Sequence, residues 1–209
     1  MFSGLVSLPF PMIRALLFFG LIASAVAVVP DCFVLGFSHI LPYGLDHILF
    51  LLALFFLAKE FSSLLMQMTL FTLAHSLTLA LSMYRVISVP SFQVEVAIAL
   101  SIAFVAAENL FSDKISRWRS CVVFASGLVH GMGFAHSFSM KEIPTADFLP
   151  ALLGFNMGIE AGQLAVIGIA YVMVAAWWKR ENYRRMIAQP ASFLIALSGL
   201  FWAALRIAS

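Results

Sequence analysis

The sequence predicts an all-α membrane protein: a polytopic transmembrane bundle of about seven helices, with residues 1–209 forming one transmembrane domain. Three observations carry this. The chain is 63% hydrophobic and 11% charged, where soluble domains carry about 25% charged residues. Its mean hydropathy is +1.02. Its apolar runs approach or exceed the roughly 20 residues that a membrane-spanning helix needs.

Seven such runs follow in order: 13–30, 33–58, 64–83, 92–111, 119–138, 147–177 and 189–207. Charges and prolines punctuate them at Pro30-Asp31, Lys59-Glu60, Arg85 to Pro90, Asp113 to Arg119, Lys141 to Pro144, and Lys179 to Arg185. The first run carries Arg14 and the small residues Ala23 to Ala27, so it reads either as a cleavable signal, leaving six helices, or as a retained helix, which we favour. The sixth run exceeds one membrane thickness and should tilt or break.

Lys and Arg divide unequally between the two sides. With the N-terminus inside, Arg14, Lys59, Lys114, Arg117, Arg119, Lys179, Arg180, Arg184 and Arg185 fall on the inner side, against Arg85, Lys141 and Arg206 outside. Cytoplasmic loops are enriched in these residues, so the expected topology is N-in, C-out. The net charge of +2 comes from short loops and gives no sign of a nucleic-acid surface. Cys32 and Cys121 sit at opposite ends of different runs, and no CxxC pair exists.

All five histidines lie in or at the mouth of these runs. Ionisable groups in hydrocarbon are costly and tend to mark sites rather than scaffolding. The expected topology brings His39, Asp46, His47, His75, His130, Asn156 and Glu160, from four runs, to a similar depth in the outer half. His39 and Asp46 are seven residues apart and are expected to share a helix face. Asn156, Glu160 and Gln163 form one polar stripe, and Thr72, His75, Thr78 and Ser82 another, each expected to be buried against protein or water. Gly127 and Gly131, with Gly154, Gly158 and Gly162, are expected to let runs five and six approach closely.

Imidazole and carboxylate donors without thiolate suit borderline cations such as Ni²⁺, Co²⁺ or Zn²⁺. Direct ligands are sought among His39, Asp46, His47, His75 and His130, with Glu160 and Asn156 completing the set or orienting its histidines. His136 reads as an interhelical hydrogen bonder, and Met66, Met68 and Met132 as packing. Glu108-Asn109 reads as one end of a structural salt bridge to Lys114, Arg117 or Arg119, or as an inner gate. Glu95 reads as an interfacial charge. No GxSxG elbow accompanies Ser76, and no phosphate-binding loop is present.

Five stretches carry a family resemblance: GFSHILPYGLDHILFLLALFFLA (36–58), FTLAHSLTLALS (71–82), VEVAIALSIAFVAAENLF (94–111), GLVHGMGFA (127–135) and LLGFNMGIEAGQLAV (152–166). They resemble the HupE/UreJ family over roughly residues 33–180. The resemblance implies a multi-pass protein of the bacterial inner membrane, with a divalent cation and the lipid bilayer as its partners and Ni²⁺ or Co²⁺ permeation as its activity. A route inward would have to use Gln67, Thr69, Thr72, Glu108 and Asn109. The alternative is an intramembrane Zn²⁺-dependent hydrolase or acyl transferase acting on lipid or lipoprotein near the outer leaflet, with Glu160 and Asp46 as its catalytic acids or bases.

Overall fold

The computed structural model describes residues 28–58, 60–137, 147–178 and 180–208, apart from the side chains of 134–137. The first expected span, 13–30, lies almost entirely outside them, as do Lys141 and the side chain of His136. The described chain is an all-helical bundle: α1 (Val28–Ile40), α2 (Leu45–Leu57), α3 (Phe61–Met83), α4 (Ser91–Phe111), α5 (Arg119–Ser137), α6 (Phe148–Val174) and α7 (Gln189–Ala208). A π-helical turn, Arg184–Ala188, leads into α7.

Among the described residues, α3, α4, α6 and the helix ending in α7 are long and apolar enough to cross a membrane, and α1 with α2 make a fifth span if counted together. The protein is therefore a multi-pass membrane bundle. At 27 residues, α6 is one unbroken helix, about 40 Å long at 1.5 Å per residue. It exceeds the hydrocarbon thickness without a break, so the expected tilt is the available accommodation.

The expected single span 33–58 is two helices bent by 69°. Pro42 lacks the N–H that a continuing helix requires. Gly44 is needed beside it, because a Cβ there would strike the His39 carbonyl. His39 and Asp46 therefore end one helix and begin the next, instead of sharing a face as their spacing predicted.

Side-chain pairs fix the helix directions. Gly127 meets Phe71 and Gly131 meets His75, so α5 runs parallel to α3. Thr72 meets Gln163 and Ser76 meets Asn156, so α6 runs opposite to α3. Ser101 meets His130 and Glu108 meets Arg119, so α4 runs opposite to α5. Arg184 bonds the Ser112 carbonyl at 2.8 Å, which puts the two Lys- and Arg-rich connections at one end of the bundle. That end is called inner below.

The glycine stripes work as close-packing surfaces, but between other partners than expected. Gly127 and Gly131 seat α5 on α3, whereas Gly154 and Gly158 seat α6 on α1. A methyl group at Gly131 would collide with the His75 carbonyl and with Thr78 Oγ1. Small residues of this kind let helix backbones touch where no hydrophobic force separates lipid-facing from helix-facing packing. At the outer end of α3, Arg85 takes a positive φ of 57°. There Val86 N–H bonds Leu81 O at 2.9 Å and Arg85 N–H bonds Ser82 O at 3.0 Å, the double bond of a Schellman stop.

Candidate metal centre

The direction of each helix and the break at 41–44 bring His39 from α1, Asp46 and His47 from α2, His75 from α3 and His130 from α5 into one place. Ring centroids lie 4.6 Å apart for His39–His47, 5.4 Å for His47–His75 and 4.9 Å for His47–His130. His47, His75 and His130 are buried. Two triads could each hold a metal ion, His39/His47/His75 and Asp46/His47/His130, with donor atoms within 4.8 Å of one another. Phe50, Phe71 and Phe155 wall the cluster.

Hydrogen bonding fixes which ring nitrogens remain available. Asp46 Oδ1 accepts from His47 Nδ1 at 3.0 Å and from the His47 backbone N–H at 2.9 Å. A carboxylate only accepts, so the His47 proton sits on Nδ1 and Nε2 keeps its lone pair. Ser101 has one hydroxyl hydrogen, which it donates to Ile98 O at 2.8 Å. Towards His130 Nε2, at 3.2 Å, Ser101 therefore accepts, leaving His130 Nδ1 with the lone pair. His47 Nε2, His130 Nδ1 and both nitrogens of His75 are buried with no protein hydrogen-bond partner. Buried polar atoms are normally paired; imidazole nitrogens left unpartnered in one cluster are donors that could hold a transition metal.

Asp46 is the half-open wall of the cluster, with its side chain 28% exposed. It borders a cavity of about 410 Å³ shared with Tyr43, Trp202, Leu205 and Arg206, towards the outer end. Arg206 lies 3.4 Å from Glu95 at the same end.

The expected polar stripe on α6 divides. Gln163 is buried and its Oε1 accepts from Thr72 Oγ1 at 3.2 Å. Asn156 Oδ1 accepts from Ser76 Oγ at 2.6 Å, holding α3 to α6 beside the cluster. Glu160 is exposed and lies outside both triads, contrary to the expected burial of its stripe. Position on a stripe gives the angle around a helix but not which neighbour covers it. Thr72, His75 and Thr78 of the α3 stripe are buried as expected. Met68 is buried and Met132 half-buried in the core, whereas Met66 is exposed.

Sequence reasoning missed Ser101 and the burial of Arg119. Ser101 gave no signal, being a lone serine on an apolar helix. Arg119 was counted among the inner loop cations, yet it is 0% exposed. Its guanidinium binds Glu108 Oε2 at 2.6 Å, Gln67 Oε1 at 2.9 Å, Ala53 O at 3.1 Å and Asn109 Oδ1 at 3.3 Å. The expected Glu108 salt bridge exists, with Arg119 as its cation.

No curated protein and no solved structure matches the chain. Residues 20–206 match the family described as HupE / UreJ protein. That match spans nearly the whole chain, including every helix of the imidazole cluster, and the chain belongs to the HupE / UreJ family.

Proposed function

We propose that this protein is a divalent-cation permease that takes Ni²⁺ or Co²⁺ from the outer side into the imidazole cluster. One observation carries the reading: buried histidines from three helices, with lone pairs unpaired, converge beside an outward-facing carboxylate. Nitrogen donors without thiolate favour these borderline cations over hard ones. In this reading, Asp46 meets the cation at the outer cavity and holds the His47 ring in its ligating tautomer, the role that carboxylates play behind metal-bound histidines. Inward of His75 lie the buried pair Thr72–Gln163 and then Gln67, Asn109 and Glu108, the groups a route would need. Arg119 closes that route here, so carriage requires an alternating conformation. Proteoliposomes of the wild-type chain should accumulate Ni²⁺ or Co²⁺, and His75→Ala should abolish it. A silent wild type, or a His75→Ala protein that transports normally, refutes the reading.

One observation favours the catalytic alternative. A groove of about 660 Å³ between α4, α5 and α7 is walled by apolar residues and reaches Ser101, which touches His130. An acyl chain lying there would approach the cluster from the lipid side. Hydrolysis of a lipid ester by the Zn²⁺-loaded protein would support that reading over carriage. The base would then be Asp46, which borders the outer cavity next to His47, whereas Glu160 is exposed on α6.

A further inference from the structure

The groups around Arg119 are untouched by the imidazole cluster and make a set of their own. Ala53 O comes from α2, Gln67 Oε1 from α3, and Glu108 Oε2 and Asn109 Oδ1 from α4. The Asn109 amide is oriented by its nitrogen, which donates to Ala53 O at 2.8 Å and to Ser192 Oγ at 3.0 Å. Its oxygen is therefore committed towards the guanidinium. One carboxylate, two side-chain amide oxygens and a backbone carbonyl, with no nitrogen or sulfur among them, form the donor set of a hard cation.

We propose that these four oxygens form a second cation site, filled in this conformation by the chain's own guanidinium and open to a hard divalent cation once Arg119 withdraws. Arg119 is a tethered stand-in: its charge answers Glu108, and its nitrogens occupy the directions that metal-ligand bonds would take. Open space lies next to one of the four oxygen donors. A cavity of about 310 Å³ at the inner end reaches Asn109 and is shared with Asp113, Tyr183 and Arg184. Gln67 lies eight residues inward of His75 on α3, about 12 Å at 1.5 Å per residue. A given oxygen site binds Co²⁺ and Ni²⁺ more tightly than Mn²⁺, so the site adds an inner station to the proposed permeation route, and in that respect it rests on that reading. Guanidinium and dication exclude each other, so the inner half admits a cation only by moving Arg119 aside.

The test uses Mn²⁺ alone, counted by electron paramagnetic resonance on the purified full chain, against the wild type in the same detergent. Arg119→Gln should bind one Mn²⁺ more than wild type, and the Arg119→Gln/Glu108→Gln double variant should lose it. Wild type should show no Mn²⁺ that Glu108→Gln removes. If Arg119→Gln purifies poorly, Mn²⁺ in the buffer should restore its folded yield, by replacing the missing counter-charge of Glu108, and should not affect the double variant. A folded Arg119→Gln protein with no added Mn²⁺, an added Mn²⁺ that survives in the double variant, or a poor yield that Mn²⁺ does not restore overturns the proposal. Co²⁺ absorption from the imidazole cluster is read on the same samples, so failure of the outer site and failure of the inner one are separate results.

Discussion

Replacing Asp46 distinguishes a carboxylate that holds a ligand from one that is itself the ligand. Its Oδ1 receives two N–H groups of His47, at 3.0 Å from the ring and 2.9 Å from the backbone. Asp46→Asn keeps an acceptor oxygen in nearly the same place and removes only the charge. Asp46→Ala removes the acceptor, freeing the His47 ring to turn and to move its proton to Nε2. Losing an outer partner of a metal-bound histidine costs about 10- to 100-fold in affinity, or about 1.4–2.7 kcal/mol at 1.36 kcal/mol per decade. Asp46→Asn should fall near the lower figure and Asp46→Ala near the upper. The assay is titration of the detergent-solubilised protein with Co²⁺, followed by its visible absorption, whose band shape reports the ligand set. Both variants should weaken binding while keeping the wild-type band shape. Unchanged affinity in Asp46→Ala would sink the argument. So would loss of all binding in Asp46→Asn, which would make the carboxylate a direct ligand.

Two further outcomes follow from the packing. Gly131→Ala should push α5 away from α3, since the new methyl meets the His75 carbonyl and Thr78 Oγ1. We expect about 1–3 kcal/mol of destabilisation, as for other overpacked interiors, with Co²⁺ affinity falling in parallel because His130 moves with the helix; an unshifted thermal midpoint would contradict this. Glu108→Gln should destabilise the bundle by about 3–5 kcal/mol, the usual result of leaving a buried charge unpaired, and thermal unfolding in detergent should show it as a clear drop in midpoint.

The sequence made the cluster legible because hydrocarbon makes polar groups conspicuous. Asp46, His47, His75 and His130 stood out against apolar neighbours, and the helix directions brought them together. Spacing misled wherever it assumed an unbroken helix. Seven residues from His39 to Asp46 imply a shared face only if Pro42 and Gly44 leave the helix intact, and they do not. The paired glycine stripes revealed that helices touch but not which ones, since a small residue is equally welcoming to any backbone. Arg119 was hidden by its position: a basic residue at a helix start reads as loop charge, and only the oxygens of three other helices reveal that it is buried.

Both triads depend on the same imidazole, that of His47. With its Nδ1 proton given to Asp46, that ring has a single lone pair to offer, and one lone pair cannot serve two ions at once. The outer centre is therefore expected to saturate at one equivalent, however many histidines crowd around it. An ion held by His39, His47 and His75 would leave the Asp46–His47 bond intact, with the carboxylate beside the metal's ligand and not on the metal.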